Sequence, residues 1–227
     1  SKKFSIAVAG SHGKTTTTAM TGQILLEASE NPSIMLGGEV GFLNDRGGKW
    51  DNGKWGVYES DESDGTFLNH KADIKIVTNI DNDHLDYYKS EENLHEAFAK
   101  FIHNKKSSFS IVYLGDKGIQ SSISLLEDQK NVIGYIETSQ INFAKENFPE
   151  IQLEPFEIFD NELSFYKNGS LKKIKLPFAG DHYLKNAFAA MLAAEKVGVD
   201  LNKILEILKG YNGVKRRLEH LGTVNNV

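Results

Sequence analysis

The chain has 227 residues, 40% of them hydrophobic and 25% charged, with a formal net charge of −5 and no cysteine. That balance is ordinary for a soluble globular chain with one sizeable core or at most two small ones. The acidic balance argues against a nucleic-acid scaffold, which needs a basic face. The absence of cysteine rules out disulfides, thiolate catalysis and cysteine metal sites, and it fits a reducing compartment. No long apolar run suggests a membrane span, and the opening SKKFSIAVAG is too short in its apolar part for a signal peptide. A cytoplasmic protein without nucleic-acid or membrane partners is the expectation.

In chain order, Phe4–Ala9 is an apolar run of strand formers closed by Gly10. Thr15–Ala28 follows with Met20, Ile24 and Leu25 at helical spacing. Ile34–Leu36 is a second apolar run, closed by Gly37 and Gly38, and the turn-rich NDRGGKWDNGKW predicts a hairpin or a long loop. Trp55–Tyr58 and Ile74–Thr78 read as strands that end in polar residues. Ser90–His103 has the strongest helical pattern. Leu94, Ala97, Phe98, Phe101 and Ile102 share a face, Ser90 is placed to cap it, Glu91 and Glu92 suit its positive end, and His103, Lys105 and Lys106 its negative end. A strand (Phe109–Leu114), a helix (Lys117–Glu127) and a strand (Asn131–Ile136) come next.

After Pro149 the pattern changes. Three strand-like runs are separated by Asp160-Asn161 and Asn168-Gly169, tight-turn pairs of the hairpin kind. Two helices close the sequence, Tyr183–Val197 and Leu201–Leu208. The predicted fold is α/β: a mostly parallel sheet with helices on both faces, of the P-loop NTPase type, plus a late antiparallel three-stranded meander. The final GTVNNV has no core residues of its own and reads as the start of a further segment.

The stretch VAGSHGKTTTT, Val8 to Thr18, resembles a phosphate-binding loop, but valine stands where the usual pattern has its first glycine. The physical requirements are still met. Gly10 and Gly13 let the chain curl, with Ser11 and His12 between them, so that backbone N–H groups converge on an anion at a helix N-terminus. Lys14 supplies a cation, Thr15 a hydroxyl for Mg²⁺, and Thr16 a further hydrogen bond. The alternative is a glycine turn capped by threonines.

Two acidic clusters lie at strand ends: ESDESD (Glu59 to Asp64) and TNIDNDHLD (Thr78 to Asp86). In an open parallel sheet, ligands bind beyond the carboxyl ends of the strands. Both clusters and His84 are therefore expected beside the glycine loop, where hard oxygen ligands and phosphate oxygens together suit Mg²⁺.

The ordered set AGSHGKTTTT, ESDESD, TNIDNDHLDYY, GDHYLKNAFAA and GVKRRLEHLG resembles the Mur ligases, ATP-dependent amide-forming enzymes of peptidoglycan precursor synthesis. The resemblance covers nearly the whole chain and implies only the central ATPase domain, residues 1–220. Residues 221–227 would begin the linker to a C-terminal domain, and a UDP-binding domain would precede the chain. It implies ATP and Mg²⁺ as cofactors. It further implies a reaction joining L-alanine to the carboxylate of UDP-N-acetylmuramate, with both substrates held largely by the flanking domains. Carried over residue by residue, Lys14 and Thr15 hold phosphates and Mg²⁺, Glu59 is a metal ligand, and His84 ligates a second metal. His182 and Asn186 match an adenine-binding pattern, and Arg217 matches an arginine on the nucleotide. Tyr183 departs from the family by replacing the first asparagine of that adenine pattern, and Lys100 is out of register for the carbamylated lysine of some relatives. Taken alone, His182 reads equally as a helix cap, Asn186 as an exposed helix residue and Arg216-Arg217 as a solvated basic step. Sibling ligases and a regulatory P-loop NTPase remain the alternative functions.

Overall fold

Apolar strand formers at the start of the chain become β1 (Phe4–Ala9), and the helix after the glycine loop is α1 (Lys14–Glu27). The structure, a computed structural model, describes residues 3–105 and 108–214. There follow β2 (Ser33–Val40), β3 (Arg46–Lys49), β4 (Trp55–Glu59), β5 (Ile74–Val77), the single turn α2 (Leu85–Tyr88), α3 (Glu91–His103), β6 (Phe109–Tyr113), α4 (Lys117–Ser124) and β7 (Val132–Glu137). The second half adds α5 (Ile141–Asn147), β8 (Gln152–Phe159), β9 (Glu162–Lys167), β10 (Ser170–Ile174), α6 (Asp181–Val197) and α7 (Leu201–Lys209).

The strands form one sheet in the order β10-β9-β8-β7-β6-β5-β1-β4-β2-β3. All pairs from β2 through β8 in that order are parallel, and the antiparallel pairs lie at the two ends, β2–β3 on one side and β8–β9–β10 on the other. The predicted mostly parallel sheet with a late meander is the observed architecture. Asp160, Asn161, Asn168 and Gly169 all have positive φ, the backbone that two-residue hairpin turns demand. NDRGGK forms the β2–β3 hairpin rather than a loop alone. Ser90 caps α3 by accepting the Asn93 N–H.

Alternation along the strands sends side chains to two separate cores. Ile6 and Val8 of β1 join α1, α6 and α7 on one face, while Ala7 and Ala9 join α3 and α4 on the other. Every residue of α1 from Thr15 to Leu25 is buried, because the helix is sandwiched between the sheet and α6 and α7. Among the described residues no helix is long and apolar enough to cross a membrane. The expected boundary near residue 220 lies outside the described residues.

One strand residue breaks the apolar pattern. Lys75 of β5 is fully buried, and its Nζ donates to Ile102 O (3.0 Å) in the last turn of α3 and to Ser108 Oγ (2.9 Å). The ammonium so faces the negative end of the α3 dipole. Burial, and then the nearby Lys105 charge, lower its pKa to about 8, against the opposing pull of Asp73. The unfolded chain, titrating near 10.5, therefore holds more protons than the folded one above pH 8, and stability rises with pH in that window by at most about 1.4 kcal/mol per unit. Above pH 10 the sign reverses, since burial raises the phenols of Tyr135 and Tyr211 and the unfolded chain then loses protons first. Urea unfolding between pH 7 and 10 is expected to show this rise in the wild type. It should be absent in Lys75→Met, where the Ser110 hydroxyl still donates to Ile102 O.

Candidate functional site

β4, β1 and β5 are parallel neighbours, with Val8 opposite Glu59 and Ala9 opposite Val77. The loops leaving these strands therefore emerge side by side. Gly10 (φ 127°) and Gly13 (φ 86°) both have left-handed backbone. A Cβ on Gly10 would sit 2.3 Å from Thr78 Oγ1, and one on Gly13 would sit 2.9 Å from Asn186 Oδ1. Neither position has room for a side chain.

The loop between them is sutured to the segment after β5. Asn79 accepts the His12 N–H through Oδ1 (2.8 Å) and donates through Nδ2 to His12 O (2.9 Å). Thr78 Oγ1 donates to the same carbonyl (2.6 Å), and the Asp81 N–H donates to Ser11 Oγ (2.9 Å). Thr78, Asn79 and Asp81 thus fix the curl from outside. The His12 imidazole points outward, with Nε2 3.2 Å from Asp81 Oδ2, both side chains being more than half exposed. Thr15 and Thr16 are buried in the first turn of α1, and the Thr17 N–H donates to Gly13 O (2.9 Å).

Lys14 folds back over the curl. Its Nζ donates to Gly10 O (2.7 Å) and to both carboxylate oxygens of Glu62 (2.9 and 3.0 Å). Glu62 is 1% exposed, and its Oε1 lies 3.8 Å from His84 Nε2. The Tyr88 phenol donates to Glu62 O. Burial first, then the Glu62 charge, raises the Tyr88 pKa far above the usual phenol value, so the hydroxyl stays a donor. Glu59, the acid expected to ligate metal, is placed differently: it ends β4, and its Oε1 accepts the Gly37 N–H (2.8 Å). The acid that meets Lys14 and His84 is Glu62, three residues on.

On the other side of Gly13 stands α6. Asn186 is buried against the glycine, and His182 lies exposed in the first turn with its ring 3.9 Å from that of Tyr183. Lys185 reaches from the same turn to Glu137 Oε1 (2.7 Å) and Tyr113 Oη (2.7 Å) at the ends of β7 and β6. Burial opposes ionisation of Glu137, but Lys185 and Tyr113 outweigh it and hold the carboxyl below its ordinary value. Arg217 lies outside the described residues.

Among the described residues no group of three His, Asp or Glu side chains forms a closed cation site. One carboxylate with the His84 imidazole fits a divalent ion only when phosphate oxygens complete the shell, which is how Mg²⁺ is held beside nucleotides. The cradle of Gly10 and Gly13, the ammonium of Lys14 and a buried carboxylate at one rim fit a nucleotide polyphosphate with its cation.

The family model described as Mur ligase middle domain matches residues 8–194. The chain belongs to the Mur ligase family. It is 36% identical over 229 residues to the UDP-N-acetylmuramate–L-alanine ligase of Brucella anthropi, covering 99% of this chain and 48% of that protein. It is 37% identical over 225 residues to the protein of the same name from Rhizobium meliloti, covering 97% and 47%. The crystal structure of UDP-N-acetylmuramate–alanine ligase from Thermotoga maritima superposes with a TM-score of 0.78 at 27% identity, over 99% of this chain and 48% of that one. A murein peptide ligase from Psychrobacter arcticus, at 21% identity and a TM-score of 0.75, shares the fold. The chain spans about half the length of the curated relatives it matches.

Asn79→Ala removes the two bonds that its own side chain makes to His12. It is expected to cost about 0.5–1.5 kcal/mol of stability, since water can replace the lost acceptor of the exposed His12 N–H. Thermal denaturation should show that loss, and affinity for a non-hydrolysable ATP analogue should fall with it.

Proposed function

We propose that residues 1–220 are the central nucleotide-binding domain of an ATP-dependent ligase. The whole protein would join L-alanine to the carboxylate of UDP-N-acetylmuramate in the cytoplasm, for peptidoglycan precursor synthesis. The observation that carries this reading is the meeting of Lys14, Glu62 and His84 at the mouth of the glycine loop, in a chain whose relatives bear that activity in their names. UDP-N-acetylmuramate and L-alanine would be held largely by the flanking parts of the longer protein.

In this role the loop of Gly10, Ser11, His12, Gly13 and Lys14, with Thr16 alongside, cradles the ATP phosphates, the N–H donors being those other than Ser11 and His12, whose N–H groups Asn79 holds. Lys14 neutralises the terminal phosphates, and Thr15 offers its hydroxyl to Mg²⁺. Glu59 at the end of β4 serves as a metal ligand and His84 serves a second cation, while Glu62 holds the Lys14 ammonium. When bound, Mg²⁺ supplies charge neutralisation between the γ-phosphate and the incoming carboxylate. His182 and Asn186 bind at the base end, and Arg217 contacts the nucleotide. The ligation itself is carboxylate activation. A substrate carboxylate oxygen bonds to the γ-phosphorus as ADP leaves. The alanine amine then attacks the acyl carbon, and phosphate departs as the amine gives up its proton. The protein's share is positioning and electrostatics, as in other phosphoryl transfers.

Lys14→Ala is expected to abolish saturable binding of a non-hydrolysable ATP analogue by calorimetry. In the intact ligase it should cut turnover by on the order of a hundredfold or more. Near-normal turnover of that variant would refute the cradle assignment. Offering the intact enzyme L-alanine or a muramyl tripeptide's peptide as the amine, and following ADP release, separates this activity from that of sibling ligases. Glu59→Gln is expected to lose the Mg²⁺ dependence of nucleotide binding, and an unchanged Mg²⁺ dependence in that variant would remove its ligand role.

A further inference from the structure

The first turns of α6 carry the two side chains assigned to the base end, His182 and Asn186. The helix starts without a capping side chain, because its N-cap is Gly180. At about 100° per residue, Lys185 lies about 60° to one side of His182 on the helix surface, and Asn186 about 40° to the other. His182 is therefore bracketed, and both brackets are held. Asn186 sits against the bare α-carbon of Gly13. Lys185 Nζ donates to Glu137 Oε1 and to Tyr113 Oη, both at 2.7 Å, and stands 4.4 Å from the centre of the Tyr113 ring. The Tyr113 hydroxyl donates in turn to Glu137 Oε1. Burial first, then the bond to Glu137, raises the Tyr113 phenol far above its usual value, so it stays a donor. Each side chain of this triangle is bonded to the other two. Glu137 ends β7 and Tyr113 ends β6, so the triangle ties the helix to the sheet edge at which ligands bind.

We infer that Lys185, Glu137 and Tyr113 are positioning residues for base recognition: their triangle fixes the rotation of the first turns of α6, and with it the direction in which His182 and Asn186 face a nucleobase. The inference rests on the proposed base-end role of His182 and Asn186. A fully exposed ion pair would be too weak for this task. Here the Lys185 and Glu137 side chains are only 26% and 25% exposed, and Tyr113 adds a neutral bond to each. The phosphate cradle is built elsewhere, on β1 and α1, and is sutured by Thr78, Asn79 and Asp81. Loss of the triangle therefore acts on the base and not on the phosphates.

The test is calorimetry on the 227-residue chain with two ligands in the presence of Mg²⁺: a non-hydrolysable ATP analogue, and inorganic tripolyphosphate, which has phosphates but no base. The readout is the ratio of the two affinities. The double variant His182→Ala with Asn186→Ala is the reference and should lower that ratio. Lys185→Met is expected to lower it about tenfold, the share of one charge-assisted bond, with tripolyphosphate affinity unchanged within about twofold. Glu137→Gln should lower it in the same direction, and adding it to Lys185→Met should bring no further loss. A triangle with a merely structural part would weaken both ligands alike and leave the ratio intact, and that result overturns the inference. So does an unchanged ratio in Lys185→Met when the reference variant lowers it, and the base-end reading then stands without the triangle. If the reference variant itself leaves the ratio unchanged, the base-end reading fails and the inference with it. Should Lys185→Met not fold, Tyr113→Phe, which keeps the ring and deletes the shared hydroxyl, is expected to lower the ratio by a smaller factor, and an unchanged ratio there overturns the inference as well.

Discussion

A carboxylate that is 1% exposed holds the Lys14 ammonium with both of its oxygens, and the surrounding polar contacts are arranged about that pair. Taking two charges out of water costs several kcal/mol per ion, so such a pair adds little net stability, while removing one partner strands the other at a cost of about 3–5 kcal/mol. The pair makes physical sense as a charge exchange. Lys14 has three donors, one of them on Gly10 O. Under the proposed function, a phosphate that takes up the Lys14 ammonium would leave the buried Glu62 carboxylate in need of another partner, so that nucleotide binding and the Glu62 charge are coupled.

The pair can meet only because the central strands are parallel and adjacent. The Ser60 N–H continues the ladder by donating to Val8 O, and the Thr78 N–H donates to Ala9 O, so both acidic segments stay in register with β1 until they pass the end of the sheet. Each then turns over the glycine loop. Helix α1 gives up amphipathicity to sit beneath: with the sheet on one side and α6 and α7 on the other, it has no solvent face over most of its length. The threonines that follow Lys14 suit this place. They are buried and β-branched, poor helix formers that packing holds in a helix. Position Gly13 then links the two ends of the groove, since its bare α-carbon is what lets Asn186 of α6 come against the loop.

Much of this was legible in the residues. The strand–loop–helix frame follows from glycines between a β-forming run and a helical period, and the meander from its two turn pairs. α5 carries no such signal, because it buries only Ala144 among its residues and so shows no apolar stripe. That Glu62 and not Glu59 holds Lys14 is not legible for a related reason. Both glutamates stand in one polar run, ESDESD, with no periodicity to say which turns inward. Only the ladder decides: Glu59 is still paired in β4, and the chain bends after Ser60, which carries Glu62 under Lys14. Thr78 and Asn79 read only as part of an acidic stretch, because their task is to bond the backbone of a loop that precedes them by more than sixty residues. A contact of that kind leaves no mark in local spacing. The one available signal was the TN pair directly at a strand end, the place where a parallel sheet puts its ligands.

His84 shows where backbone cost and side-chain use separate. Its φ of 61° is left-handed, a conformation that costs a non-glycine residue on the order of 1 kcal/mol. The position is over-determined, with the His84 carbonyl accepting from both the Tyr87 and the Tyr88 N–H. A glycine would meet the same backbone demand without strain. What histidine adds there is its imidazole, and the imidazole is the group that stands 3.8 Å from Glu62. The strain is thus local to a residue whose side chain, not its backbone, answers the needs of the site.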